Sequence, residues 1–374
     1  MANFLSRFPP FAPKESWMDR AHAAISLTND EAVVHVIGKL TDSAFAFVGS
    51  TSQALGDTGV PQTVILLQDP PNRSLLAKFH PAVRLELLPA GIGPVRRFLA
   101  GVKVLCHEAS ARPVAAIHLH GVVPSLTAVY AAWFCGLSPK LFLLPHGSRL
   151  QWLVRKAAAA VRRPRAVSPP HAETPTHTAA DDVAKVIRLV EHPVDAQFFG
   201  HDRHESRRPL IVAGSASVDP VGAAQFAQMA VLLGEDATAL SFNWVGRVDN
   251  ESRARLKAAN VGIFDEDDPA ARAARLAGAW MYVAYAGTSD FPLRLAEAMA
   301  LGLPCVAWDS PQARSVLRHG ETGLLCSTPS QLLATIAQLI DSPELRHNMG
   351  RAAQEEATRR FHPAKVRDLL QTAA

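Results

Sequence analysis

Arg294 and Glu297 stand three residues apart at the start of the run FPLRLAEAMALGLPCVA, a segment otherwise built mostly from Leu, Ala and Met. On a helix that spacing puts both side chains on one face, one turn apart. Pro292 suits the first turn, because the N–H it lacks would have no intrahelical partner there. The amides that follow, with the positive end of the helix dipole, make an anion site suited to phosphate. Arg294 is then a cation where the dipole disfavours one, and its planar fork matches phosphate oxygens. Glu297 is an acceptor for sugar or ribose hydroxyls. Together the two describe a site for a sugar nucleotide. The competing assignment is a solvated i, i+3 ion pair, worth only about 0.2–0.5 kcal/mol.

Two alternations of strand and helix must position these residues. The apolar stretches AVVHVIG, TVILLQD, VRLELL, VAAIHLHG and KLFLLPHG, with helical patterns among them from Val33 to about Val167, predict a parallel sheet covered on both faces. PPHAETPTHTAADD, Pro169 to Asp182, lacks apolar periodicity and predicts a loop or linker. A second alternation follows in PLIVAGS, SFNWVGR, VGIFD, WMYVAYA, PCVAWDS and GLLCS. The expected class is α/β: two doubly wound, Rossmann-like domains whose strand carboxyl ends face each other across a ligand cleft. The first spans residues 1–180 and the second 181–355. A closing helical segment, 356–374, is broken near Pro363 and returns toward the first domain.

Several further groups fall at strand ends in that cleft. His120 is the last residue before a loop, and His118 shares its face one pleat deeper. An imidazole there serves as a donor to a sugar oxygen or as a base, the alternative being a core histidine. His146, followed by Gly147 and Ser148, suits acceptor or phosphate binding. Thr41 or Asp42 suits the cap of the next helix, and Asp42 is also an acid available for acceptor activation. The acidic run DEDD, ahead of Pro269, predicts a loop whose acids cap a helix rather than a metal site.

SDFPLRLAEAMALGLPCVA resembles the donor-site signature of GT-B-fold glycosyltransferases, especially family 4 and its relatives. The matching residues are Phe291, Leu293, Glu297, Ala298, Met299, Ala300, Gly302, Pro304 and Ala307. DSPQARSVLRHGETGLLC and SPELRHNMGRAAQEEATRRFHPAKV are similar to the family's continuation and closing helix, so the resemblance covers the second half of the chain. It implies metal-independent transfer of a hexose from a nucleoside-diphosphate sugar, a UDP-sugar foremost, to an acceptor hydroxyl, with no cofactor. It also implies that Phe291, Pro292 and Leu293 line the donor site, that Arg294 meets the diphosphate and Glu297 the ribose, and that His120 faces the donor sugar. LIVAGSASVDPVGAAQFAQMAVLL looks like the family's first strand, loop and helix of the donor domain, with Gly214 and Ser215 at the diphosphate. The Arg and Lys that many members carry there are absent, and Arg247 is the substitute cation. The first glutamate of the family's pair falls on Ser289, leaving Ser289 or Asp290 in its role; a related variant also lacks it and carries a lysine where Arg294 stands. Gly38 corresponds to a Gly-rich loop, on the acceptor side with His146.

With 374 residues, 48% hydrophobic and 19% charged, the chain has the material for two globular domains. No apolar run reaches the roughly 18 residues of a membrane span, and prolines interrupt the start, so a cytoplasmic protein is expected. Cys106, Cys135, Cys305 and Cys326 stand singly, which predicts neither a disulfide framework nor a zinc site. The net charge of +4 is modest, but VRKAAAAVRRPRAV beside Trp152 is locally basic. That segment suits a solvated helix face or peripheral contact with the anionic inner face of the plasma membrane. Without interleaved aromatics it does not predict nucleic-acid binding. The implied acceptor is a sugar or lipid-linked oligosaccharide of bacterial surface polysaccharide or glycolipid synthesis. Two rivals are a catalytically impaired GT-B protein that binds a nucleotide or partner protein, and a nucleotide-sugar 2-epimerase, for which no matching set of acids and histidines is found.

Overall fold

The computed structural model describes residues 31–38, 42–56, 59–68, 76, 79–89, 91–120, 122–135, 141–145, 187–201, 203–236, 240–266, 268–285 and 291–365. The first domain runs β1 (Ala32–Ile37), α1 (Asp42–Gly56), β2 (Gln62–Leu66), β3 (Arg84–Leu87), α2 (Pro94–Ala111), β4 (Val114–His120), α3 (Val122–Cys135), β5 (Leu141–Pro145) and β6 (Ile187–Val190). Its strands pair in parallel in the order β3-β2-β1-β4-β5-β6. The second runs β7 (Leu210–Ala213), α4 (Pro220–Asp236), β8 (Ser241–Val245), α5 (Asn250–Ala258), β9 (Gly262–Phe264), α6 (Pro269–Ala277), β10 (Met281–Ala284), α7 (Leu293–Ala300), β11 (Cys305–Trp308), α8 (Pro311–Val316), β12 (Leu324–Cys326), α9 (Pro329–Asp341) and α10 (Pro343–Phe361). Here the order is β12-β11-β10-β7-β8-β9.

Both sheets are doubly wound, as the two alternations predict. β1, β2 and β4 are buried along their whole length, which is why they are near-continuous apolar runs rather than alternating ones. In each sheet the strand order reverses between the first strand and the fourth. Beyond the ends of β1 and β4, and of β7 and β10, helices leave to opposite faces and open the crevice where such folds bind ligands.

The division of the chain differs from the sequence expectation in two places. Ile187–Val190 pairs in parallel with β5, Phe142 opposite Ile187 and Pro145 opposite Val190, so the first sheet extends past residue 180. Four residues after a polar stretch carry too little periodicity to announce a strand; the free edge of β5 supplies what local sequence does not. At the other end α10 is continuous through residues 355 and 356. It stops at Phe361, two residues before Pro363, as proline's restriction on its predecessor requires. Among the cysteines, Cys305 and Cys326 are free and buried, whereas Cys106 is disulfide-bonded, which its isolated position in the sequence does not predict. Among the described residues no helix is long and apolar enough to cross a membrane. The basic segment beside Trp152 lies outside the described residues.

α10 lies directly across α7, the helix that carries Arg294 and Glu297. A Cβ on Gly350 would stand 2.2 Å from the carbonyl oxygen of Gly302, and Gly302 itself holds φ +76°, a conformation that favours glycine. The amide of Gln354 donates to the Ala300 carbonyl at 3.3 Å and closes the contact. Gly350→Ala is expected to cost about 1–3 kcal/mol through overpacking, despite alanine's better helix propensity. It should appear as a lower urea midpoint at unchanged m-value; an unchanged or raised midpoint would show that the helices are free to separate.

Candidate functional site

A cavity of about 690 Å³ lies between the two domains. α1 supplies one wall with Phe45, Gly49 and Gln53, and the second domain supplies Arg247, Arg272, Arg294 and Glu297. The residues just past α10, His362, Pro363 and Ala364, complete it. A smaller hollow at the ends of β7 and β10 is lined by Gly214, Ser215, Tyr282 and Pro292, and it shares Leu293 and Arg294 with the cavity.

α7 begins at Leu293, with Pro292 one position earlier than its helical start and no side chain capping the first amides. Seven of its eight residues are buried, Glu297 among them. Arg294 and Glu297 are therefore not a solvated pair: their side chains are 13% and 2% exposed. Arg294 Nη1 donates to both carboxylate oxygens at 2.8 Å. A second guanidinium reaches the same carboxylate from α6: Arg272 Nε donates at 3.1 Å and Nη2 at 2.9 Å. Arg272 is held in turn by the Glu266 carbonyl at 3.1 Å and by the Phe198 ring, 5.3 Å below its Cζ. Burial pushes the Glu297 carboxyl up, but the two guanidiniums outweigh it and hold the group below the ordinary glutamate value. Arg272 is the residue that sequence reasoning missed. The visible signal is its place four residues before Leu276 on the buried stripe of an amphipathic helix.

Two guanidiniums share one carboxylate, and Asp195, Asp265, Glu266 and Asp268 line the same cavity. Arg294 Nε is buried and has no hydrogen-bond partner, leaving donors of that fork for something in the cavity. Arg247 lies on the same wall, two residues past the end of β8. The loop after β7 comes close to β8: a Cβ on Gly214 would stand 2.0 Å from the Val245 carbonyl oxygen, so only glycine fits. The Tyr282 hydroxyl donates to the Gly214 carbonyl at 2.8 Å and fixes the loop. Three of the cavity's acids make local contacts. Asp268 caps α6 by accepting from the Ala271 amide at 2.8 Å, as the acidic run predicts, Glu266 meets Arg275, and Asp195 accepts from the Gln197 amide at 3.0 Å.

Other expected site residues are placed elsewhere. Phe291 stacks on His192, ring centroids 4.4 Å apart and 3° from parallel, and meets Phe361 edge-on; it lines neither hollow. Gly38 donates its amide to the His120 carbonyl at 3.3 Å and is likewise absent from the cavity wall. Asp42 opens α1, but its side chain, and the whole of His146, Ser289 and Asp290, lie outside the described residues.

His120 ends β4 as expected, yet it is buried away from the cavity, edge-on to Phe47 of α1 at 4.7 Å. It belongs to a cluster. Strand register sets His35 opposite His118 and Ile37 opposite His120, so three imidazoles emerge on one face of the sheet. Burial lowers the pKa of His35 to about 4, against its hydrogen bond to Gln62, which raises it. Burial, then His35 and His192, lower that of His120 to about 3, and His118 falls well below its usual value for the same reason. All three rings are neutral at neutral pH, and one ring nitrogen of each lies within 4.8 Å of the others. No metal ligands are anticipated from the sequence; non-local strand pairing assembles this set.

Residues 230–356 match the family described as glycosyl transferases group 1. Over 79 residues the chain is 35% identical to the N-acetyl-alpha-D-glucosaminyl L-malate synthase of Bacillus anthracis, covering 21% of each chain. Over 123 residues it is 36% identical to the phosphatidyl-myo-inositol mannosyltransferase of Mycobacterium leprae (strain TN), covering 31% of this chain and 33% of the relative. The matches thus span only about a fifth to a third of these relatives' lengths. In architecture the chain is similar to Anabaena Alr3699/HepE, solved in complex with UDP and glucose: TM-score 0.59, 13% identity, 89% of this chain and 96% of that one covered. Two parallel-sheet α/β domains in this arrangement constitute the GT-B fold.

Proposed function

We propose, from the premise that this is a GT-B-fold chain carrying the glycosyl transferases group 1 match over residues 230–356, that it transfers a hexose from a nucleoside-diphosphate sugar to an acceptor hydroxyl. One observation supports this reading above the others: Arg294, with a buried and unpartnered Nε, stands at the uncapped start of α7 beside the interdomain cavity. That is a place for a diphosphate. In the transfer step the bond from the anomeric carbon to the diphosphate oxygen breaks, the acceptor oxygen bonds to that carbon and gives up its proton, and the diphosphate leaves with the electron pair. Arg294, Arg247 and the α7 amides stabilise the charge that develops on the leaving group, so no metal on the diphosphate is required. Glu297 orients Arg294 and, through it, the donor. The Anabaena protein's complex with UDP makes a UDP-sugar the first donor to try, and the curated relatives suggest an acceptor in glycolipid or surface-sugar synthesis.

The test is a set of melting curves with UDP, GDP, ADP, CMP and TDP. At about a hundred times its Kd, the nucleotide of the true donor adds roughly 2.7 kcal/mol of stability, and Arg294→Ala removes that shift. The variant should also lose roughly 10²-fold in transfer rate, the scale typical of one lost leaving-group donor. No shift with any nucleotide would overturn the reading. Nucleotide stabilisation without hydrolysis or transfer of any donor would mark a binding protein on a glycosyltransferase fold.

A further inference from the structure

We propose that His35, His118 and His120 form a binding site for one divalent transition-metal ion of the zinc class, in the first domain and apart from the nucleotide cavity. The three imidazoles share one sheet face, on adjacent strands, with a ligand nitrogen from each inside a 4.8 Å sphere of mutual separation. All are buried, and His35 Nδ1, both nitrogens of His118 and His120 Nε2 have no hydrogen-bond partner. Each such orphan costs about 1–3 kcal/mol, and native interiors almost always satisfy them. Valine would fill the same sheet face at no such cost. An ion taking one lone pair from each ring removes three of the orphans together.

The neighbours of the rings support the assignment. His35 Nε2 meets Gln62 Oε1 at 3.3 Å, and the Gln62 amide nitrogen donates to the Ser52 carbonyl at 3.0 Å. That second bond fixes which end of the amide faces His35, so the ring carries its proton on Nε2 and presents a lone pair at Nδ1. Ligating histidines are commonly held through the other ring nitrogen in this way. Phe47 closes the site with edge-to-face contacts to His118 and His120. Three neutral imidazoles with no carboxylate or thiolate suit Zn²⁺, Co²⁺, Ni²⁺ or Cu²⁺ rather than Mg²⁺ or Ca²⁺, and three histidines are a known zinc donor set. Tetrahedral zinc, with Zn–N near 2.0–2.1 Å, needs nitrogens about 3.3 Å apart, a closure that ring rotations supply. The other occupant of such a pocket is buried water.

The experiment uses the full chain, stripped with EDTA and then titrated with Zn²⁺ and Co²⁺ in the absence of nucleotide. The expected result is one equivalent of zinc retained through gel filtration, a visible Co²⁺ absorption band that zinc displaces, and a melting temperature raised by either ion. His118→Asn and His35→Gln should each lose retention, and Gln62→Ala should weaken affinity by roughly 10–100-fold while keeping all three ligands. Far-UV circular dichroism and the gel-filtration volume serve as folding controls. Folded wild-type protein that retains no zinc, or zinc retained equally by both histidine variants, overturns the proposal and leaves water as the occupant. Because no nucleotide or sugar transfer enters the measurement, its failure is separate from any failure of the transferase reading.

Discussion

Glu297→Ala lowers the unfolding free energy by roughly 3–5 kcal/mol, the usual consequence of stripping a buried ion cluster of its counter-charge, and abolishes stabilisation by nucleoside diphosphates. The size follows from the surroundings. The carboxylate accepts from both Arg272 and Arg294, whose side chains are 6% and 13% exposed. Without it two guanidiniums face each other in the core of the second domain. Arg294 then swings toward water, and the donors that await the diphosphate are no longer held at the start of α7. Urea unfolding measures the first effect and nucleotide-dependent melting the second. Arg272→Met combined with Glu297→Leu removes the conflict and should recover much of the stability, since apolar replacements of buried ion clusters are often neutral or better, while nucleotide binding stays lost. A loss below about 1 kcal/mol for Glu297→Ala would place this cluster among solvated pairs and would contradict its geometry.

Acidification of the EDTA-treated protein destabilises it steeply between pH 6.5 and 4. His35, His118 and His120 have folded pKa values below the ordinary 6.5, about 4 and about 3 for the first and last. The unfolded chain therefore takes up protons first as pH falls through 6.5. Stability is fully present above that value and is lost on the way down to the folded pKa. At about 1.4 kcal/mol per pH unit for each fully shifted group, His35 alone withdraws roughly 3 kcal/mol by pH 4. While all three rings lag the unfolded state, the slope approaches roughly 4 kcal/mol per pH unit. Urea midpoints at half-unit steps from pH 7.5 to 5 measure it, and His118→Val should flatten the curve. A wild-type midpoint constant from pH 7 to 5 would mean that the rings reach solvent.

The sequence makes the helix of Arg294 and Glu297 and most of the sheet strands plain, because each is announced by its own residues: apolar runs for strands, Pro at helix starts, capping acids such as Asp268. What it hides is whatever depends on two distant segments meeting. Arg272 looks like any arginine in an alanine-rich helix until α6 is laid against α7. His35 and His118 become partners only because β1 pairs with β4 across the intervening β2 and β3. Ile187–Val190 becomes a strand because β5 has an edge to offer. The resemblance to a family put His120 at the donor sugar, but Phe47 on α1 stands against that ring and the cavity lies elsewhere. Phe291 matches the donor signature and yet packs against His192 and Phe361.

The chain's exit from the first sheet is not a loose tether. The Val194 amide donates to the Phe361 carbonyl at 2.8 Å, and Arg360 grips Glu191 at 2.9 Å, so the outgoing connection is pinned to the end of α10, just before the residues that line the cavity. Because α10 also packs across α7, this attachment braces the back of the wall that carries Arg294 and Glu297.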